Sequence, residues 1–291
     1  MKACLACGYR YDARDWTCPS CHAVPVNRGG ILVFGFAADG GACRDAAYLD
    51  TQIQMAEVRH FWFLARLRLV QWMLRRYFPS ARQLLDVGCG TGFVLEGLRR
   101  TAPSLALAGC DVRLETLAIA RQKLRDVVLF AADTTALPYE SEFDVVTALD
   151  VLEHIDDDGA ALGALLNVIK PGGGLILTVP QHPWLWSEVD DFSCHRRRYV
   201  RLDLETKVAA AGFDILRCTS FFAVTLPLLA ASRLRRRRGR VFDPSAELQI
   251  PTAVNGILRA LLGFEGRLIK LGASLPFGSS LILIARRATP S

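Results

Sequence analysis

The chain has 291 residues, of which 51% are hydrophobic, and it carries a formal net charge of +6. This length and composition predict a globular protein with one full-sized α/β domain and an appendage. The longest apolar runs are about half of the roughly 20 residues that a spanning helix needs, and no signal peptide precedes the first cysteines, so we expect a cytoplasmic protein.

Two segments hold nearly all of the excess positive charge. They are residues 195–201 (HRRRYVR) and residues 233–240 (RLRRRRGR). Such clusters favour an anionic partner: phosphate groups, nucleic acid or an anionic membrane surface. A second interpretation stays open, in which the arginines reflect a compositional bias and are only solvated.

Four cysteines near the start of the chain have the spacing of a zinc site. Cys4 and Cys7 form one C-x-x-C pair, and Cys18 and Cys21 form a second pair after ten intervening residues. Each pair can turn two thiolates onto one metal ion, and a short hairpin between the pairs would complete a tetrahedron. Because all four positions are protein ligands, we expect a structural Zn²⁺ ion. His22 as the fourth ligand, two disulfides and a redox dithiol are the alternatives.

The middle of the chain has the pattern of a doubly wound α/β protein. Residues 27–45 indicate a strand and a glycine-rich connection, and residues 55–78 have apolar side chains at helical spacing before Pro79. From about Ala81 to Pro180, apolar strands alternate with helices of about 10 to 15 residues, which predicts parallel βαβ units.

The last third of the chain adds a loop, an insertion and a final strand. A polar loop with two tryptophans precedes a helix at about residues 202–211 and the strand that follows it. The residues before the final strand form a long insertion with the second arginine run and an apolar, helix-like segment at 253–271. Insertions of this length beside an α/β site are often lids or interaction surfaces.

A glycine-rich turn joins the first strand of the alternation to its helix. Residues 86–92 read DVGCGTG, and glycines at such a turn let the backbone approach a ligand closely. A dinucleotide fingerprint is G-x-G-x-x-G, whereas here the third glycine comes one position early and Phe93 stands in its place. This difference weakens a dehydrogenase interpretation.

Residues 85–92 (LDVGCGTG) carry a resemblance to class I S-adenosylmethionine-dependent methyltransferases, whose first motif they match letter for letter. The resemblance continues in order through Asp111, Asp133, the turn from Asp150 to Ile155, and residues 166–180. The turn resembles that of the ubiquinone-biosynthesis type of O-methyltransferase. In the family, a carboxylate like Asp111 holds the ribose hydroxyls and one like Asp133 contacts the adenine amino group. The implied cofactor residues are Asp86, Gly88, Gly90, Gly92, Asp111, Asp133 and Asp150.

This resemblance also implies the architecture. We expect a doubly wound, Rossmann-like, mostly parallel seven-stranded sheet with an antiparallel last strand, a small N-terminal zinc ribbon and a helical insertion before the last strand. The expected divisions are a ribbon (1–30), a linker and N-terminal helix (31–80), an S-adenosylmethionine-binding core (81–222), a helical insertion or lid (223–277) and the final strand of the core (278–291).

Two histidines are candidates for the base that an alcohol or phenol acceptor needs. His154 follows the fourth strand of the alternation, and bracing of the loop is its alternative role. His195 opens the first arginine cluster, whose alternative is a solvated surface. Aromatic faces and guanidinium forks suit a planar or phosphorylated acceptor. The candidate substrate residues are Trp184, Trp186, Arg197, Arg198 and Tyr199.

The sequence therefore predicts methyl transfer from S-adenosylmethionine to an anionic small-molecule or lipid-linked acceptor, most simply an O-methylation. An RNA methyltransferase that uses the ribbon to hold RNA is the first alternative, although the ribbon balances Arg10 and Arg14 against Asp12 and Asp15. A non-catalytic module that binds the cofactor and recruits a partner is the second. The apolar insertion beside an arginine run fits either peripheral contact with the inner face of a membrane or an intramolecular lid.

Overall fold

The computed structural model describes residues 1–13, 15–35, 56–235 and 249–289. Expectations that fall on other residues lie outside this description. They include the glycine-rich connection within the predicted linker and the side chains of the arginine run at 233–240.

Two sheets make up the β-structure of the described residues. A small antiparallel pair, β1 (Lys2–Ala3) and β2 (Arg10–Tyr11), lies in the N-terminal ribbon. The strands of the large sheet are β3 (Val26–Arg28), β4 (Ile31–Val33), β5 (Gln83–Val87), β6 (Ala106–Asp111), β7 (Val128–Ala131), β8 (Phe143–Leu149), β9 (Ile169–Pro180), β10 (Phe213–Phe221) and β11 (Ser280–Arg287). Their order across the sheet is β10-β11-β9-β8-β5-β6-β7-β4-β3.

The strand directions confirm the Rossmann-like expectation. All neighbouring pairs from β4 to β9 are parallel, and the last strand, β11, is inserted antiparallel between β9 and β10. The sheet has nine strands rather than seven because the β3–β4 hairpin extends it beyond β7. Gly29 and Gly30 form the two-residue turn of this hairpin, and both have a positive φ, as a primed turn requires.

The described ranges also contain eight α-helices. They are α1 (Phe61–Tyr77), α2 (Phe93–Thr101), α3 (Leu114–Lys123), α4 (Asp158–Val168), α5 (Glu188–Phe192), α6 (Arg201–Ala210), α7 (Leu226–Arg235) and α8 (Thr252–Lys270). One apolar core joins α1, α2, α3 and α8 to the sheet, and a second core joins α4 and α6 to its other face. The central strands β5, β8, β9 and β11 are thus buried on both sides, which explains their continuous apolar runs in the sequence.

Helix α1 begins later than its periodicity predicts because His60 caps it. The His60 ring accepts a hydrogen bond from the Trp62 N–H over 3.3 Å, and the helix ends at Tyr77, shortly before Pro79. Among the described helices, none is both long enough and apolar enough to traverse a bilayer.

Candidate active site

The glycine-rich turn lies at the carboxyl end of β5, where parallel strands of such sheets present their ligand site. Gly88 has a φ of +69°, and a Cβ built there would lie 2.4 Å from Cγ2 of Val151 on the turn after β8. A side chain at this position would push the two turns apart. Gly92, which also has a positive φ, caps the start of α2.

Two of the predicted cofactor carboxylates lie at the next two strand ends. Asp111 closes β6, and its two oxygens accept the N–H groups of Gly90 over 2.8 Å and of Arg113 over 2.9 Å. Asp133 is exposed after β7, where its Oδ1 accepts the Thr135 N–H over 2.7 Å and the Thr135 hydroxyl over 2.6 Å. The structure thus fixes both carboxylates by local backbone contacts on the same sheet edge as the glycine turn.

The other two predicted carboxylates lie deeper. Asp86 is buried within β5 and accepts the Thr147 hydroxyl over 2.6 Å; burial raises its pKa to about 7, although that hydrogen bond acts in the opposite direction. Asp150 follows β8 with a φ of +57°, accepts the Thr178 hydroxyl over 3.0 Å and is ion-paired with the largely buried Arg66 of α1. Helix α1 is therefore anchored to the site edge.

The two candidate histidines meet although 40 residues separate them in the sequence. The rings of His154 and His195 pack edge to face with their centroids 4.7 Å apart. Nδ1 of His195 lies 2.9 Å from Oδ1 of Asp190, which is fully buried and also receives two hydrogen bonds from Arg198. Burial alone would raise the pKa of Asp190, but the hydrogen bonds from His195 and Arg198 outweigh it and lower this pKa to about 2.

The surroundings of His154 favour its neutral form. Desolvation by the surrounding protein, reinforced by the charge of His195, lowers the pKa of His154 to about 4, even though part of its side chain is open to solvent. The carboxyl of Glu153 is buried beside it, and neither of its oxygens has a hydrogen-bond partner among the described residues. Burial, with the charge of Asp150, raises the pKa of Glu153 far above its usual range.

Glu153, His154 and His195 are also the donor types that divalent cations bind in proteins. One ligand atom from each lies within 4.8 Å of the other two, so this trio could hold a metal ion.

The candidate substrate residues divide into two groups. Arg198 and Tyr199 point inward: Arg198 binds Asp190 and the Gln181 carbonyl, and the buried Tyr199 hydroxyl donates to Asp158 over 2.9 Å. Trp184 and Trp186 are exposed in the loop after β9. The half-buried Arg197 lies between these groups, with an ion pair to Asp158.

The four N-terminal cysteines converge as their spacing predicts. Their Sγ atoms all lie within 4.8 Å of one another, with 3.6 Å between Cys4 and Cys21 and 3.7 Å between Cys7 and Cys18. Thiolates arranged as a tetrahedron about 2.3 Å from one ion would stand about 3.8 Å apart, so the set fits Zn²⁺. Each knuckle closes alike: the Gly8 N–H donates to the Cys4 carbonyl and the His22 N–H to the Cys18 carbonyl.

The ribbon packs against the loop between β7 and β8. The Ala3 N–H donates to the Pro138 carbonyl over 3.0 Å, and the Trp16 ring contacts Tyr139 with centroids 5.3 Å apart. Arg10 forms an ion pair with Glu140. The contacted loop spans residues 132–142, so the ribbon packs on the loop that also carries Asp133, the residue of the predicted adenine contact.

Sequence reasoning missed three residues of this site. Arg66 pairs with Asp150; its signal was an arginine on the apolar face of a helix. The buried Glu57 accepts the Thr91 hydroxyl of the glycine-rich turn at 2.6 and 2.7 Å, and Asp190 orients His195. No local pattern marked Glu57; Asp190 stands close to Trp184 and Trp186 in the sequence, but its contact with His195 was not predicted.

One family model built from known proteins matches the segment that forms this site edge. Residues 85–177 match the family described as "Methyltransferase domain". The matched segment thus begins before the glycine-rich turn, includes the turn of Asp150 and His154, and ends within β9.

Similarity to individual relatives covers about a third of the chain. The chain is 34% identical over 110 residues to the ubiquinone biosynthesis O-methyltransferase of Thiobacillus denitrificans, covering 36% of this chain and 47% of that protein. It is 37% identical over 105 residues to the tRNA (carboxymethyluridine(34)-5-O)-methyltransferase of Arabidopsis thaliana, covering 35% of this chain and 24% of that protein. The chain thus spans about half the length of the first relative and about a quarter of the length of the second.

A solved structure shares the fold over a wider range. Phosphoethanolamine N-methyltransferase 2 of Haemonchus contortus, solved in complex with S-adenosyl-L-methionine, has a TM-score of 0.52 at 17% identity, covering 75% of this chain and 51% of that one.

Proposed function

We propose that the protein transfers a methyl group from S-adenosylmethionine to a hydroxyl of an anionic small-molecule or lipid-linked acceptor. One observation carries the proposal: His195 is oriented by the buried Asp190 next to His154, on the sheet edge that also bears the glycine-rich turn. A hydroxyl acceptor needs a base and an amine does not, so this pair favours oxygen as the acceptor atom. The similarity to an O-methyltransferase supports the same choice.

The glycine-rich turn and the following carboxylates would hold the cofactor. Gly88 allows the close approach of the backbone, Asp111 would take the ribose hydroxyls, and Asp133 would contact the adenine amino group. When bound, S-adenosylmethionine would supply a methyl group on a sulfonium sulfur for in-line attack by the acceptor oxygen. Asp86 and Asp150 would stabilise the turns after β5 and β8 through their contacts within the protein, and would not contact the nucleoside.

In this mechanism His195 accepts the proton that the acceptor hydroxyl loses. Its Nδ1 faces the Asp190 carboxylate, which leaves Nε2 for the acceptor. Asp190 stays ionised at neutral pH because its pKa is about 2, so it stabilises the imidazolium that forms. His154, neutral at that pH, positions the His195 ring by edge-to-face packing.

The acceptor would bind beside the exposed tryptophans of the loop after β9. Trp184 and Trp186 offer faces for a planar group, and the exposed Arg196 and half-buried Arg197 offer positive charge to an anionic one. Arg198 acts through Asp190 and is a positioning residue.

Isotope transfer tests the activity directly. The protein is incubated with radiolabelled S-adenosylmethionine and with separate lipid, RNA and small-molecule extracts, and label is expected in an anionic small-molecule or lipid fraction. His195→Ala should lower turnover by roughly 10² to 10⁴ while calorimetric donor affinity is unchanged. Asp111→Ala should instead weaken donor binding by about 1 to 3 kcal/mol. Asp126→Ala, at an exposed aspartate before β7, is the matched control and should change neither quantity.

RNA is the second candidate acceptor because one relative is a tRNA methyltransferase. Label in the RNA fraction, together with RNA binding that weakens with salt and is lost in Cys18→Ser, would replace the main proposal. Label in no fraction despite tight donor binding would favour the non-catalytic module.

We also propose that the four cysteines hold one structural Zn²⁺ ion. Their closed four-sulfur set leaves no position for a substrate, and its spacing fits the ion. Zinc would stabilise a ribbon whose described residues bury only Cys4, Tyr11 and Cys18 in a core of its own. Metal analysis should find one zinc per chain, and none in Cys18→Ser.

A further inference from the structure

Helix α8 has two apolar faces, of which only one is buried. Leu258, Leu262 and Ile269 pack into the core against α1 and the sheet, together with Glu265. A second row alternates at spacings of three and four residues, so it forms one continuous stripe along the helix. Its members are all exposed: Val254, Ile257, Leu261, Phe264, Leu268 and Leu271. Ile257 and Phe264 are 61% and 59% exposed to solvent. A continuous exposed apolar patch of this kind is typical of an interaction surface.

A basic pocket adjoins the end of this stripe. It has a volume of about 490 Å³ and is lined by Arg76, Arg217 and Lys270, with the rings of Trp72 and Tyr77 in its wall. Leu271 belongs to both the stripe and the pocket lining, so the two features are continuous. Arg217 is fixed there by two hydrogen bonds, of 2.8 and 2.7 Å, to the carbonyls of Ile269 and Ala273.

Positive charge accumulates around this pocket. Lys270 loses solvation by partial burial, and the nearby Arg68, Arg75 and Arg267 lower its pKa further. Neither these three arginines nor the three cations of the pocket form an ion pair with a carboxylate in the part of the chain that the structure describes. Six cations without acidic partners predict an anionic counterpart.

The pocket is separate from the candidate active site. Helix α1 contributes Arg66 to the site and Arg76 to the pocket. Ten residues of helix place these side chains about 15 Å apart along the axis.

Charge and apolarity together select the occupant of this surface. A second copy of the chain would bring cation against cation, and a nucleic acid would leave the apolar stripe in water. An anionic bilayer matches both features, since its acyl boundary takes the stripe and its phosphates take the cations. Tryptophan and tyrosine at the rim are typical of the level of the headgroups. We infer that the stripe of α8 and the adjoining basic pocket, together called the α8 face, dock on the surface of an anionic phospholipid membrane.

Docking of this kind places α8 in the plane of the interface, with no segment crossing the bilayer. Each cation near an anionic surface strengthens binding about fivefold, and each inserted apolar side chain adds to this. The inference stands apart from the proposed methyl transfer because vesicle binding requires neither donor nor acceptor.

Vesicle sedimentation with the full zinc-loaded chain tests the inference. The probes are vesicles of phosphatidylcholine alone and of phosphatidylcholine mixed with phosphatidylglycerol. We expect binding to the mixed vesicles at least about tenfold stronger than to the neutral ones, and this difference should shrink with salt. Equal binding to both, or binding to neither, would overturn the inference.

Two pairs of variants locate the surface. The double variant Leu261→Glu and Phe264→Glu should weaken binding to mixed vesicles at least about tenfold, and Arg76→Gln with Lys270→Gln should weaken it about 25-fold. The matched controls are Leu202→Glu, at an exposed leucine of α6, and Arg28→Gln with Arg125→Gln, at exposed arginines elsewhere. Unchanged melting curves show that the variants fold. If controls and test variants lose binding equally, or if Phe264→Glu dissociates a dimer seen by light scattering, the face is not a membrane surface.

Discussion

The N-terminal ribbon and helix α8 both pack on the same sheet, but they differ in which of their apolar side chains are buried. The ribbon turns its backbone and its one tryptophan toward the loop that follows Asp133. Helix α8 buries one row of side chains and leaves a second row open beside unpaired cations. The ribbon therefore packs inward on the loop that carries Asp133, whereas α8 presents an outward surface. Whether the apolar side chains of an added module are buried or exposed thus indicates whether the module supports the protein or binds a partner.

Removing the metal site should have the largest effect on this contrast. Cys18→Ser, or treatment with a chelator, should unfold the first 25 residues, because zinc supplies about 10 to 16 kcal/mol of apparent stabilisation in small zinc modules. The sheet should stay folded, while donor affinity falls because the Asp133 loop loses its support. Hydrogen exchange by mass spectrometry measures the first effect and calorimetry the second. Cys218→Ser, outside the ribbon, is the control; a protected ribbon without metal would show that zinc is not its source of stability.

Substitutions at two adjacent positions distinguish the buried face of α8 from its exposed face. Glu265 is buried and accepts the N–H groups of Phe222 over 2.6 Å and of Val224 over 3.1 Å. Glu265→Ala should lower the free energy of unfolding by about 2 to 4 kcal/mol, because two backbone donors lose their acceptor. Phe264→Ala, one residue away on the exposed stripe, should change it by less than about 0.5 kcal/mol. Urea denaturation measures both, and similar losses would mean that the stripe is packed within the protein.

The same glutamate should make the packing of α8 depend on pH. Burial raises the pKa of Glu265 above its ordinary value of 4.5, although the backbone hydrogen bonds oppose this. The folded protein therefore keeps a proton that the unfolded chain has lost, and the free energy of unfolding should fall as pH rises from 4.5 through the raised pKa. The slope is at most about 1.4 kcal/mol per pH unit. Glu265→Gln should flatten this part of the profile, and an unaltered slope would assign it to another group.

The smallest expected effect concerns the rim of the ribbon. The ion pair between Arg10 and Glu140 is solvent-accessible, so Arg10→Ala should weaken ribbon docking by no more than about 1 kcal/mol. A double-mutant cycle with Glu140→Gln measures the pair itself. A larger coupling would show that this pair, rather than the Trp16 contact, holds the ribbon in place.

Local patterns in the sequence were enough to predict the parallel strands of the sheet, the convergence of the four cysteines and the position of Asp111 and Asp133 after strands. Each of these depends on spacing or on alternation within a few tens of residues. Contacts over long separations were not predictable in the same way: Arg66 and Asp150 are 84 residues apart, and their ion pair exists only once α1 packs on the sheet. The inward direction of Arg198 and Tyr199 was also not predictable. A run of arginines suggests an exposed surface, and only the fold shows that Asp190 and Asp158 bind these side chains in the interior.

The two cores of the sheet have a consequence for how the appended modules communicate. Helix α8 packs in the core that it shares with α1, whereas Phe34 and the packed Trp16 belong to the core on the opposite face. The strands of the sheet separate these two cores. The free energy of zinc binding by the ribbon and that of membrane binding by the α8 face should therefore be nearly independent. Either module could then be altered without changing the affinity of the other.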